Sequence, residues 1–147
     1  MLKFPLAIPF VEHLGFELHR YANGEAEVHL ELDPEHHNSW QVAHGGVVMT
    51  LLDVAMAHAG RSVNMHEPGH GPGMATVEMK TSFMRPAEGR LVAKARLLHR
   101  SSTMAFCEGS VFDAQARLCA HATGTFKYLR KLPAGDRTLK RLRHKET

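Results

Sequence analysis

Residues 25–32 alternate without a break: Ala26, Val28, Leu30 and Leu32 fall on one side of the chain, Glu25, Glu27, His29 and Glu31 on the other. A period of two marks a β-strand with one face in a core and one in water. Asn23-Gly24 just before it is a hairpin-type pair, so residues 15–21 are the expected partner strand. Asp33-Pro34 ends the strand. Further along, residues 75–85 set Val77, Met79, Thr81 and Phe83 against Thr76, Glu78, Lys80 and Ser82. Residues 90–99 set Leu91, Ala93, Ala95 and Leu97 against Val92, Lys94, Arg96 and Leu98. Residues 103–112 and 117–128 complete a predicted set of six strands. Links of three to five residues between the later strands make the sheet antiparallel.

The pattern changes over residues 45–62. From Val47 to Ala57 the chain is apolar almost all round, with Asp53 as its single carboxylate. A helix apolar on every side is a buried one. One face of the last two strands carries Ala105, Cys107, Gly109, Ala120, Ala122 and Gly124. Small side chains admit a close helix, so the 45–62 helix is expected over those strands. A short helix over 8–14, ended by Gly15, and a flexible Pro/Gly connection over 67–73 fill in the rest. The predicted architecture is α+β: one long central helix wrapped by a curved antiparallel sheet of about six strands.

At 147 residues this is most simply one domain with a real core. Eighteen Lys and Arg against fifteen Asp and Glu give a net charge of +3. Six of those cations (Lys131, Arg137, Lys140, Arg141, Arg143, Lys145) and two acids (Asp136, Glu146) fall in residues 131–147. Residues 1–130 therefore carry twelve basic and thirteen acidic side chains, a net −1. The basicity belongs to a tail, which divides the chain into a domain over 1–130 and a basic C-terminal tail over 131–147. That division argues against nucleic acid as a partner. No apolar run is long enough to span a bilayer, and the proline-interrupted start reads as mature fold instead of a signal segment.

Cys107 and Cys119 are the two cysteines. A hairpin turn over 113–117 would pair Cys119 near Val111, about 13 Å along the strand from Cys107, too far for a disulfide. Free thiols point to the cytoplasm. The twelve histidines are scattered without metal spacing and read as incidental surface residues, so no metal or cofactor is expected.

The candidate chemistry lies around the long helix. Asn38-Ser39-Trp40-Gln41-Val42-Ala43 leads into His44-Gly45-Gly46 at its start, where backbone N–H groups have no intrahelical partner and attract negative charge. Asp53, carried inside the apolar run, is expected in a poorly solvated place where its carboxyl pKa rises.

His-Gly-Gly with an acid nine residues after the histidine, followed by Thr76-Val77-Glu78-Met79-Lys80-Thr81-Ser82-Phe83-Met84-Arg85-Pro86-Ala87, resembles the phenylacetyl-CoA-type acyl-CoA thioesterases of the hotdog fold. The resemblance covers roughly residues 8–130. It implies hydrolysis of an acyl-CoA thioester to a free acid and coenzyme A. Such a reaction needs a group to polarise the carbonyl and one to activate water or attack directly. Gly45 N–H suits the first role and Asp53, as base or nucleophile, the second.

The resemblance also implies that His44 shapes the turn, that Asn38 orients the thioester or water, and that the Thr76 hydroxyl holds the attacking water. Gly46 joins the substrate-binding turn, while Arg85 and Arg100-Ser101-Ser102 are the candidates for the phosphates of coenzyme A. Gly45 and Asp53 stand eight residues apart on one helix, about 12 Å at the helical rise. No carbonyl reaches both. Two copies of the chain would then share each site, as a homodimer or dimer of dimers, and the resemblance implies the same. Two other readings compete: a non-catalytic acyl-CoA-binding module that keeps the cleft but leaves Asp53 structural, and a dehydratase of the same fold, for which no Asp/His pair stands in one segment.

Overall fold

Asn23 and Gly24 both take positive φ, 54° and 79°, which is what a two-residue turn between twisted strands demands. They join β1 (Glu17–Ala22) to β2 (Glu25–Glu31), the hairpin that the sequence predicts, with the first strand starting two residues later than expected. The computed structural model describes residues 1–130; the basic tail over 131–147 lies outside the described residues. Ahead of β1, α1 (Pro9–Leu14) closes on Gly15 at φ 80°, and Leu2 bridges to Leu18 along the outer side of β1.

A 3-10 turn at Pro34–His36 leads to α2 (Gly45–Ser62), and a second at Pro68–His70 lies within the proline- and glycine-rich connection. Four strands follow: β3 (Gly73–Phe83), β4 (Arg90–Arg100), β5 (Met104–Phe112) and β6 (Leu118–Leu129). All six strands form one antiparallel sheet in the order β1-β2-β4-β5-β6-β3. One long helix against one curved sheet is the hotdog arrangement that the resemblance implies.

The alternating residues face the helix as expected. Ala26, Val28 and Leu30 of β2 and Leu91, Ala93 and Ala95 of β4 are buried. On β5 and β6 the small residues admit α2. A Cβ added at Gly109 would stand 3.3 Å from both Leu52 and Met56, and one at Gly124 would stand 3.1 Å from Met56. The helix also crosses β2 and β4, so it lies over the middle of the sheet and reaches beyond the last two strands. Cys107 and Cys119 are free and buried.

Two expectations are corrected here. The reading of the histidines as surface residues fails at His36 and His58. His36 is buried, with Nε2 donating to the Leu14 carbonyl at 2.8 Å and Nδ1 accepting from Asp33 N–H at 3.1 Å, so it ties the loop before α2 to α1. His58 is buried against Phe4 and Tyr21, its Nδ1–H donating to the Val54 carbonyl at 2.7 Å. Strict alternation along 75–85 also fails. The β3–β6 register shifts between Thr76 and Glu78, a β-bulge that leaves Val77 as the extra residue. Thr76 precedes the bulge and Met79, Thr81 and Phe83 follow it. The shift puts Thr76 on the helix side together with Met79 and Phe83, where a plain period of two would have turned it away.

Candidate active site

The loop from Asn38 to His44 is held at every step by its own backbone and by Asn38. The Asn38 Oδ1 accepts from Trp40 N–H at 2.9 Å and from Val42 N–H at 3.4 Å. Its backbone N–H donates to the Val42 carbonyl at 2.8 Å, and its carbonyl accepts from Gln41 N–H at 3.0 Å. Gln41 completes the tight turn in the left-handed region at φ 63°. Ala43 N–H then reaches the Ala87 carbonyl and His44 N–H the His36 carbonyl, at 3.0 and 2.8 Å. Asn38 therefore builds the turn, and its amide NH2 remains as a donor with no partner among the described residues.

His44 caps α2. Its Nδ1 accepts from Gly46 N–H at 2.8 Å, and its carbonyl accepts from Val47 and Val48 N–H at 3.0 and 3.2 Å. The Gly46 N–H is thus occupied, which leaves that residue a role in shape: a Cβ there would press on the His44 ring at 3.0 Å. The Gly45 N–H has no acceptor among the described residues. A Cβ at Gly45 would make ordinary contact with the Phe83 ring at 3.5 Å, so packing within the chain does not demand a glycine. What the glycine keeps clear is the approach to its own N–H, at the positive end of the helix dipole.

That N–H borders a cleft of about 690 Å³. Asn38, Gly45 and Arg85 all line it, so the structure brings these three candidates together. Ala43, Ala87 and Ala120 line its small-residue side, with Phe83 and Met84 as larger walls and Trp40 at the rim.

Asp53 and Thr76 form a second group. The Thr76 hydroxyl donates to Asp53 Oδ1 at 2.6 Å, which leaves Oδ2 free. Asp53 is half-buried and not enclosed, on a half-exposed stripe of α2 with Met49, Thr50 and Ala57. Burial nonetheless pushes its carboxyl above the ordinary carboxylate range, and the Thr76 bond, which favours the charged form, opposes part of that rise. Gly45 and Asp53 lie two turns apart, about 12 Å at the helical rise.

The remaining candidates stand elsewhere within one chain. Arg100 donates from Nη1 to Asn64 Oδ1 at 2.8 Å, just beyond the last residue of α2, and Ser101 Oγ accepts from Thr103 and Met104 N–H at 3.3 and 3.0 Å. Ser102 is exposed in the same turn. An 18-residue helix, about 27 Å long, separates this turn from the cleft. Sequence reasoning missed Phe83 as the residue against Gly45; its place at the end of β3, just before Arg85-Pro86-Ala87, was the available signal.

A free N–H at a helix start stabilises an oxygen that gains negative charge, and a carboxylate with one unpaired oxygen accepts a proton or attacks an electrophilic carbon. Comparison with known proteins places the chain among thioesterases. The sequence profile of the thioesterase superfamily matches residues 41–120. The medium/long-chain acyl-CoA thioesterase YigI of Escherichia coli is 27% identical over 135 residues, covering 84% of this chain and 87% of that protein. Among solved structures, a conserved protein of Pseudomonas aeruginosa matches with a TM-score of 0.76 at 29% identity, over 85% of this chain and 97% of that one. A point mutant of the phenylacetic acid degradation protein PaaI from Thermus thermophilus matches with a TM-score of 0.71 at 30% identity, over 83% and 100% respectively.

Proposed function

Because this chain belongs to the thioesterase superfamily and is a thioester hydrolase, we propose that its substrate is an acyl-CoA, cleaved to a free acid and coenzyme A at a site shared by two copies of the chain. The observation that carries this reading is the pairing of an unengaged Gly45 N–H with a Thr76-held carboxylate at Asp53, two turns away on one helix. The thioester oxygen sits on Gly45 N–H, where negative charge develops as the carbonyl carbon becomes tetrahedral. Asp53 from the other copy drives the attack in one of two ways. As a base it takes a proton from the attacking water and passes it to the leaving thiolate. As a nucleophile it forms an acyl anhydride, which a water then hydrolyses to the free acid and the regenerated carboxylate. In either route the C–S bond breaks and the thiolate of coenzyme A leaves with a proton. His44 fixes the turn that presents Gly45, and Asn38 holds the loop beside it. Arg85 borders the cleft and is a contact for the polar part of the substrate.

The edge strand β3 supports the sharing. Its second side has no partner strand among the described residues, and Val77 and Phe83 are more than half exposed on it. Thr76 touches Asp53 near one end of this strand, while Phe83 lies against Gly45 at the other. A two-fold antiparallel pairing of β3 with its copy, centred on Lys80 and with Val77 left out as the bulged residue, sets Thr76 of one chain opposite Phe83 of the other. Asp53 and the partner's Gly45 are drawn together by the same pairing.

Asp53→Asn tests the catalytic assignment. A folded variant should release free thiol from acyl-CoA at least ~10²-fold more slowly than wild type, the scale that a positioned base supplies. Near-normal release by a folded Asp53→Asn protein removes Asp53 from the reaction.

A further inference from the structure

The cleft beside Gly45 carries one positive and one negative side chain, Arg85 and Glu88, so its lining has no net charge. The nucleotide of coenzyme A, with several phosphate charges, calls for an excess of cations. An uncharged chain calls for apolar walls, and Val48, Phe83, Met84 and Trp40 provide them. Trp40 is the sole tryptophan in the sequence and is 84% exposed. A loose loop does not account for that exposure. The Asn38 Oδ1 bonds to Trp40 and Val42 N–H, together with the left-handed Gln41, fix the backbone that presents the indole. An indole carried on a fixed backbone at the mouth of an apolar cleft offers a large contact area with only two side-chain torsions to order.

We infer that Trp40 is a specificity-determining residue: its indole forms the outer wall of the subsite for an uncharged, extended acyl chain and selects long acyl groups over short ones. The inference rests on the thioesterase reading, since the thioester carbon at Gly45 is what anchors the chain in the cleft. A short acyl group ends among the small side chains near Gly45 and does not reach the rim. A long one passes between Phe83 and Trp40.

The test compares acetyl-, hexanoyl- and dodecanoyl-CoA as substrates for wild type, Trp40→Phe and Trp40→Ala, with the intrinsic fluorescence of the wild type recorded in dodecanoate and, separately, in coenzyme A. In wild type, kcat/KM should climb with chain length by up to about fourfold per buried methylene. Trp40→Ala should lose about tenfold or more on dodecanoyl-CoA while acetyl-CoA changes less than about twofold. Trp40→Phe should retain most of the gain, and dodecanoate but not coenzyme A should shift the Trp40 emission to the blue.

Equal loss on all three substrates would overturn the inference, as would an emission shift with coenzyme A alone. Conversion of the Trp40→Ala protein to a smaller oligomer would assign the indole to an interface between copies and overturn it as well. Hydrolysis without any dodecanoate shift defeats the acyl subsite and leaves the thioesterase reading intact. A dodecanoate shift without hydrolysis of any thioester does the reverse.

Discussion

Replacing Gly45 by proline removes the hydrogen that the proposed oxyanion site depends on and disturbs little else. Gly45 is the first helical residue, the position where proline is tolerated best because its N–H has no intrahelical acceptor in any case. His44 before it is already extended, at φ −60° and ψ 138°, the conformation that a following proline requires. Ordinary contact distances to Phe83 leave room for the first ring carbon. Loss of one oxyanion donor should lower kcat by ~10²–10³-fold, and Asp53→Ala should be comparably inactive. The two dead proteins are then combined. If subunits assort at random, half of the dimers carry one chain of each kind. Each such dimer holds one intact site, with Gly45 from one chain and Asp53 from the other, and one site broken twice. Total activity should return to roughly a quarter of wild type, at least ~25-fold above either parent. Thiol release from acyl-CoA reads this in the unsorted co-expressed mixture, and the mixed species purified on two different tags should reach about half of wild type. A purified mixed dimer that stays below about 1% of wild type would mean that each chain carries its own site, and the 12 Å argument would have been misapplied.

Thr76→Val should keep the fold but remove the hydroxyl that favours the charged form of Asp53. The acid limb of the kcat/KM profile should move to higher pH, with a loss of roughly tenfold below the limb and less above it; that is the low end for a bond to a charged group, as suits a half-exposed carboxylate. Thr76→Ser should restore the wild-type limb, and an unmoved limb in Thr76→Val would separate the hydroxyl from Asp53. Burial lowers His58 to about 4 from its ordinary 6.5, so the folded protein keeps it neutral while the unfolded chain takes up a proton as pH falls below 6.5. Stability should be complete above that pH and fall by up to ~3 kcal/mol toward pH 4, measured by chemical denaturation. His58→Phe should shed this share of the acid sensitivity, and an unchanged pH dependence in that variant would place it on other groups.

Most of the scaffold follows from local rules. Unbroken alternation over 25–32, the Asn23-Gly24 turn and the apolar run after Gly45 each depend on neighbouring residues alone, and each appears where local chemistry puts it. The separation of Gly45 from Asp53 needed no more than the rise of a helix. Contacts between distant segments were not legible. His36 and His58 resemble surface histidines until Leu14 and Phe4 are brought against them by the fold. Arg100 looks free in its turn, yet Asn64 holds it from 36 residues away. Asn38 was legible as a turn former, but the particular N–H groups it satisfies depend on the left-handed Gln41, a position where a non-glycine residue gives no warning.

The bulge at Val77 has a consequence for how such a site can change over time. Thr76 reaches Asp53 because Val77 bulges out of β3 without a partner in β6, so that Thr76 and Met79 stay in phase. Inserting one residue into β6 between Thr125 and Phe126 would give Val77 a partner, restore regular alternation and send the Thr76 hydroxyl to the outer face without altering a single reactive side chain. The reach of Asp53 is therefore written in the length of a strand as much as in its letters. A relative that differs by one inserted or deleted residue at this point could keep every matching amino acid and still arrange its carboxylate differently. Comparisons that count identities would miss such a change, and strand lengths would record it.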